Sequence, residues 1–302
     1  MDEVLDPAII EALPAGCEVV YVERHGTPSW ANGYKVEVEV DGDEKAYFLK
    51  ILQRDRHAEM ARGEYESQLA MWKHIPDNVV VPVAHGTLKD DDSRSFYLAL
   101  YRDFKDRVPE AAPLVDVLRT LQTSGISPNG KFGFHVPTFN GYVPLINDWC
   151  DTWEEWFARQ LKSDIEWEQS IRGQDDEFNE IAGRFIEKVV PRLLRPLETG
   201  GRSINPVLIH GDLWHGNTDI DSVTNKVILF DACCCYGHSE MELFMMRETR
   251  YIFSNDHIAY YKKCVDASEP LADFDDRLTL YAIVKEDMLL LLEKYPNGID
   301  DF

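Results

Sequence analysis

Two short segments carry the residues best suited to chemistry: His210-Gly211-Asp212-Leu213-Trp214-His215-Gly216-Asn217 and Lys226-Val227-Ile228-Leu229-Phe230-Asp231. They contain an Asp, an Asn five residues later, and a second Asp that ends an apolar stretch. Phosphoryl transfer from a nucleotide to a hydroxyl needs three such groups. One carboxylate orients the acceptor hydroxyl and takes its proton, while an amide oxygen and a second carboxylate hold Mg²⁺ against the phosphates. Asp212 and Asn217 keep the Asp–x₄–Asn spacing with which protein kinases meet this need, and Asp231 follows Asn217 by 14 residues. That gap suits a short hairpin whose second strand delivers Asp231 beside the other two. Alone, His-Gly-Asp reads as a turn and Phe230-Asp231 as a strand end; their weight comes from the context in which they stand.

That context must supply a fixed cation for the phosphates. Lys50 closes the apolar segment Tyr47-Phe48-Leu49 and is placed as the strand lysine of a kinase would be. A helix carboxylate should pair with it. Glu64 and Glu66 are both available, and being two apart they cannot share a helical face; Glu64 is preferred. His25-Gly26-Thr27-Pro28-Ser29-Trp30 precedes the first clear strand and is the candidate loop over the phosphates, although poor in glycine.

The elements around these residues follow from periodicity. Lys35 to Val40 alternates polar and apolar, Asp41-Gly42 is a favoured hairpin turn, and Ala46 to Leu52 is the return strand. Met60 to Lys73 reads as a helix, and Val79-Val80-Val81 and Ser95 to Tyr101 as two more strands. Beyond Asp103 the pattern becomes mainly helical. Thr152-Trp153-Glu154-Glu155 is a capping box, ahead of Trp153, Trp156, Phe157 and Leu161 on one face. Phe178 to Val189 makes a second amphipathic helix that Pro191 should end or kink. Asp276 to Lys294 reads as a third, with Met288 to Leu292 its most buried part. A short β segment interrupts near residues 207–231. The expected division is residues 1–103 for a nucleotide-binding lobe and 104–302 for a catalytic and acceptor-binding lobe.

Composition narrows the function classes. The 302 residues carry 31 Lys+Arg against 54 Asp+Glu, a net charge of −23. So acidic a chain is a poor partner for nucleic acid or anionic membranes, which need clustered Lys and Arg. No apolar run reaches the ~18–20 residues of a membrane span, and the N-terminus lacks a basic, apolar leader. The expectation is a monomeric cytoplasmic protein. Six cysteines, three of them at Cys233-Cys234-Cys235, show no metal-binding spacing and read as small side chains at a strand end.

These residues together resemble the fructosamine/ketosamine-3-kinase family, within the wider aminoglycoside-phosphotransferase and choline-kinase-like group. The resemblance rests on His210-Gly211-Asp212-Leu213-Trp214 with Gly216-Asn217, and on Phe230-Asp231 followed by Tyr236-Gly237-His238 and Glu240. Lys131-Phe132-Gly133-Phe134, Thr152-Trp153, Trp156-Phe157, Gly26, Trp30 and Lys50 extend it over about residues 17 to 290. Asp231-Ala232-Cys233 is similar to fungal members; Leu121-Gln122 and Ala232 depart from the Leu-His and the Pro of other branches. The resemblance implies an α+β, bilobal, protein-kinase-like fold that uses ATP and Mg²⁺. It also implies a ketosamine acceptor, a sugar on a lysine amine, phosphorylated at its C3 hydroxyl so that the adduct then leaves.

In that scheme Asp212 is the catalytic base, and Asn217 and Asp231 hold Mg²⁺. Lys50 clamps phosphate, Glu64 orients Lys50, and Gly26 belongs to the phosphate loop. The backbone between Ser95 and Asp103 meets adenine, with Leu98, Leu100 and Tyr101 as the candidate contacts. Trp214 either flanks the sugar or is a core aromatic. His238 and Glu240 either shape the acceptor pocket or brace the loop after Asp231. The acidic surface suits a cationic amine acceptor. The rival readings are a kinase of another small alcohol, such as choline or an aminoglycoside, and a nucleotide-binding pseudokinase.

Overall fold

The computed structural model describes residues 4–26, 31–247, 251–253, 255–282 and 284–302. Asp6 caps a short helix α1 (Pro7–Ala12), its carboxylate accepting from the Ala8 N–H, before an edge strand β1 (Glu18–Arg24). The alternating segment forms β2 (Ala31–Val40), which turns through Asp41 and Gly42, at φ 53° and 86°, into β3 (Asp43–Leu52). Both turn residues have the left-handed backbone that this tight hairpin requires. Helix α2 (His57–Trp72) follows, then β4 (Pro82–Thr87) and β5 (Ser95–Leu100). The five strands make one antiparallel sheet in the order β1-β2-β3-β5-β4. Val36, Val38, Leu49, Ile51, Phe96 and Leu98 share one small core with Ile9 and Leu13 of the N-terminal segment.

The Val79-Val80-Val81 run is not a strand of this sheet. Val79 bridges to Leu229 and the Val80 N–H donates to the Leu229 carbonyl, so the first two valines are spent against the second half of the chain, while the Val81 carbonyl accepts from the Leu100 N–H. Pro82 then begins β4. Between Tyr101 and Asp103 the backbone changes partners. The Tyr101 N–H bonds Ala46 of the sheet, whereas the Asp103 carbonyl accepts from Ser222.

The remainder is mostly helix: α3 (Ala111–Ser124), a small hairpin β6 (Thr138–Asn140) and β7 (Val143–Leu145), α4 (Trp153–Arg172) and α5 (Asp176–Leu194). Thr152 caps α4 through the Glu155 N–H as its sequence promised, and Trp153 stacks on Trp156 in the large core. Pro191 sits inside α5, which runs on to Leu194 before tightening into a 3-10 turn. Next come β8 (Val207–Ile209), the hairpin β9 (Thr218–Ile220) and β10 (Val227–Leu229), and β11 (Cys235–Gly237), which pairs with β8. The chain ends with α6 (Phe244–Arg247), α7 (Asn255–Cys264), α8 (Phe274–Tyr281) and α9 (Lys285–Lys294).

The single terminal helix expected from Asp276 to Lys294 is therefore two. The β-branched Val284 takes an extended conformation and starts α9 afresh. Within α9 only one face is covered: Met288, Leu291 and Leu292 are buried, while Leu289 and Leu290 are exposed. Among the described residues no helix is long and apolar enough to cross a membrane.

Candidate active site

The loop after β8 is shaped by a glycine. Gly211 has φ +82°, and a Cβ there would lie 2.4 Å from the Cys233 carbonyl oxygen. His210 is fully buried behind the loop, its Nε2 3.0 Å from the Phe230 carbonyl and its Nδ1 3.3 Å from the Asp212 N–H. A neutral ring with its proton on Nε2 satisfies both contacts, and burial pushes its pKa down to about 4. Glu242, also fully buried, accepts from the backbone N–H groups of His210 (2.6 Å) and Gly211 (3.3 Å). Burial raises its pKa to about 7 against the pull of those two donors.

This scaffold presents Asp212 to a cleft lined by Leu52, Met60, Glu64, Phe139, Asp231 and Ala232, among others. Burial, and then the charge of Asp231, raise the Asp212 pKa to about 7. Asn217, buried in the 3-10 turn after Trp214, donates from Nδ2 to the Asp212 carbonyl (2.9 Å), to its Oδ2 (3.1 Å) and to the Asp231 carbonyl (3.3 Å). The β9–β10 hairpin brings in Asp231, two residues past the end of β10, at φ +58°. The expected juxtaposition of Asp212, Asn217 and Asp231 is present.

Lys50, on β3, lies 4% exposed between two carboxylates. Its Nζ is 2.7 and 2.8 Å from the two Glu64 oxygens and 2.6 Å from Asp231 Oδ1. Burial alone would lower the Lys50 pKa, but Asp231 and Glu64 outweigh it and hold the ammonium charged. Burial raises Glu64 to about 7 despite Lys50. For Asp231, Lys50 overcomes burial and keeps the carboxyl below its ordinary value. The choice between the two helix acids is thereby made. Glu64 meets Lys50, whereas Glu66 lies 3.0 Å from His135 Nε2.

Other expectations are redistributed. Leu98 is fully buried in the sheet core, and β5 is flanked by β3 and β4, so it has no free edge for a nucleotide. The N–H groups of Leu100 and Tyr101 are already bonded to Val81 and Ala46. Tyr101 carries Lys35 Nζ 4.7 Å from its ring centroid and packs edge-on to His25. Gly26 opens the candidate phosphate loop at φ +73°, and residues 27–30 of that loop, Trp30 included, lie outside the described residues.

His238 and Glu240 are not brought to the Asp212 cleft, which corrects their reading as substrate contacts. His238 is held between Tyr281 Oη (2.7 Å) and Ser268 Oγ (2.8 Å). Glu240 is clamped by Arg277 at 2.7 and 3.0 Å and accepts from the Ser268 N–H. Both side chains are buried, with their hydrogen-bonding capacity used in bracing the segment after Asp231. Trp214 is half-buried, beside His215 and Tyr251, with its ring so close over Gly216 that a Cβ there would lie 2.3 Å from it.

Two residues without a sequence signal reach the site. Glu242 supports the loop from the 3-10 turn after His238, and only its place among Met241, Leu243 and Phe244 hinted at a buried acid. Asn140, on the β6–β7 hairpin, donates from Nδ2 to Asp212 Oδ1 at 3.4 Å.

The donor set suits a hard cation. Asn217 uses its amide nitrogen for the bonds above, so its oxygen is left to pair with an Asp231 carboxylate. Mg²⁺ takes one or two such oxygens and fills its shell with phosphate and water. Among the described residues no cluster of three His, Cys, Asp or Glu side chains would hold a metal unaided.

The chain is similar in sequence and in fold to known proteins. A mouse ketosamine-3-kinase is 37% identical over 154 residues, covering 51% of this chain and 46% of that protein. A chloroplastic protein-ribulosamine 3-kinase from Oryza sativa subsp. japonica is 29% identical over 204 residues, covering 67% and 56%. The chain thus spans about half the length of these curated relatives. A Thermobifida fusca protein assigned as a fructosamine-3-kinase shares the fold, with TM-score 0.67, 21% identity, and coverage of 94% of this chain and 90% of that one. So does a thermostable mutant of the aminoglycoside phosphotransferase APH(4)-Ia in complex with AMP-PNP and hygromycin B, with TM-score 0.59, 13% identity, and coverage of 94% and 88%. The fructosamine kinase family model matches residues 11–286, most of the chain, and on that match the chain belongs to the fructosamine kinase family.

Proposed function

We propose that this protein transfers the γ-phosphoryl group of ATP to the C3 hydroxyl of a ketosamine, a ribulosamine or fructosamine carried on lysine. The observation that carries the reading is the Glu64–Lys50–Asp231–Asn217–Asp212 chain of contacts in a member of this family. The activities for which the mouse and rice relatives are named point the same way.

Lys50, fixed by Glu64, presents a permanent cation to the nucleotide phosphates. Asn217 and Asp231 would hold Mg²⁺, which when bound neutralises charge on those phosphates. Asp212 lies on the acceptor side. Its carboxylate orients the hydroxyl and takes its proton as the new P–O bond forms, and burial brings its basicity toward neutral pH, where a general base is most effective. Trp214 would cover the sugar or the neighbouring ammonium, a contact worth roughly 0.5–2 kcal/mol. The 3-phosphate makes the adduct leave, freeing the amine. The change of backbone partners between Tyr101 and Asp103 supports starting the acceptor-binding lobe at residue 104. The same reading takes the chain to act as a monomer in the cytoplasm.

The test is ATP-dependent phosphorylation of ribulose-lysine, fructose-lysine, choline and kanamycin, with Asp212→Asn as the blank. A kcat/KM for ribulose-lysine at least about tenfold above choline or kanamycin is expected, a ratio requiring about 1.4 kcal/mol of differential binding. Asp212→Asn should lose at least about 10²-fold in kcat. Preference for choline or kanamycin would remove the ketosamine reading.

A further inference from the structure

The Asp212 carboxylate is held by two amides on different parts of the fold. Asn217 donates to Oδ2 from the catalytic loop itself, and Asn140 donates to Oδ1 from the β6–β7 hairpin. The torsion that turns a carboxylate about its Cβ–Cγ bond is soft and broad. One donor on one oxygen leaves that rotation open; a second donor on the other oxygen closes it. A general base needs a lone pair aimed at the acceptor hydroxyl, so the second donor acts on the chemistry.

Asn140 is itself positioned from both sides. At the hairpin stem, Thr138 is fully buried and donates from Oγ1 to the Cys234 carbonyl, and Asn147 donates to it at 2.8 Å. On the other side the hairpin is gripped by the first lobe. Phe139 packs with Leu52, Met60 and Ala61, the Arg56 guanidinium lies 4.9 Å from its ring centroid, and Arg54 lies 4.6 Å from that of Tyr142. Helix α2 is pressed against the stem closely enough that a Cβ on Gly63 would lie 2.6 Å from the Pro137 carbonyl. Support of this kind holds a polar side chain to the tolerance a reacting group requires.

We infer that Asn140 is a positioning residue for the catalytic base, fixing the plane of the Asp212 carboxylate toward the acceptor hydroxyl. The contact, at 3.4 Å, is at the long end for a hydrogen bond. The inference rests on Asp212 being the base.

Asn140→Ala and Asn140→Leu separate this role from packing. Leu has the branched shape of Asn but no N–H to give and adds no charge beside Asp212. Both variants should lose at least about tenfold in kcat on ribulose-lysine, with KM for ATP within about twofold of native, because base orientation acts in the transition state. An Asn140→Leu enzyme with kcat within about twofold of native overturns the inference, since shape alone would then suffice. A second readout needs no turnover. In urea unfolding, the shift in midpoint caused by Asn140→Ala should shrink by at least about half when Asp212 is already Ala. An unchanged shift overturns the inference whatever the kinetics show. Native protein that phosphorylates none of the four acceptors sinks the proposed function, while the urea cycle still decides the contact.

Discussion

Replacing Lys50 by methionine keeps most of the side-chain volume and removes the one cation between Glu64 and Asp231. Three contacts of 2.6–2.8 Å are lost, two to Glu64 and one to Asp231. Removing one partner of a buried ion pair costs about 3–5 kcal/mol. Here Glu64 can relieve part of that cost by binding a proton. Burial already raises it to about 7, with Lys50 opposing, so without Lys50 its folded pKa climbs further. A carboxyl whose pKa is higher folded than unfolded binds more protons in the native state. Its contribution to stability therefore falls as pH rises from the unfolded value to the folded one, and is level beyond it. In the native protein the Glu64 contribution levels off near pH 7, whereas in Lys50→Met it keeps falling. At about 1.36 kcal/mol per pH unit for one proton, the gap between the two should widen by up to about 2 kcal/mol between about pH 7 and 8.5. Asp231 is more open to solvent and adds less. Urea unfolding followed by circular dichroism at the two pH values, with Lys50→Met/Glu64→Gln as control, measures the gap. The control should show no widening. Parallel behaviour of native and Lys50→Met across that range would refute the account of Glu64 as a carboxyl held in its charged form by Lys50.

Asp231→Ala should abolish Mg²⁺-dependent turnover and weaken Mg·ATP more than ATP alone; equal weakening in calorimetric titrations would make Asp231 structural. Gly211→Ala should lose at least about 2 kcal/mol in urea unfolding, from a left-handed backbone and a Cβ 2.4 Å from the Cys233 carbonyl, and unaltered stability would contradict that close approach. Glu240→Gln should destabilise the fold by roughly 3 kcal/mol, because Arg277 would be left as a buried, unpaired charge. The same variant should leave the ratio of kcat/KM for ribulose-lysine and choline unchanged. A shifted ratio in the folded enzyme would return Glu240 to the acceptor pocket.

Much of the site was legible along the chain. Asp212, Asn217 and Asp231 belong to one loop and the hairpin after it, so spacing alone constrains where they meet. The β2–β3 hairpin announced itself by alternation and Asp41-Gly42, and α4 by its Thr152 cap, because turns and caps are local chemistry. What reaches across the fold was not legible. Glu64 and Glu66 are equally acidic, and only the angle at which α2 crosses the sheet gives one to Lys50 and the other to His135. His238 and Glu240 follow Asp231 so closely that the sequence left open whether they shape an acceptor pocket or brace the loop. The chain turns them into the core, where Arg277, Ser268 and Tyr281 from distant segments satisfy them. Asn140 stands 72 residues before Asp212 and carries no motif, because its partner is chosen by how a small hairpin packs between helix α2 and the segment at Cys234. Period and spacing are written in neighbouring residues, whereas the pairing of buried polar groups is decided by packing. Each such group must find a partner, and only the folded chain determines which one is within reach.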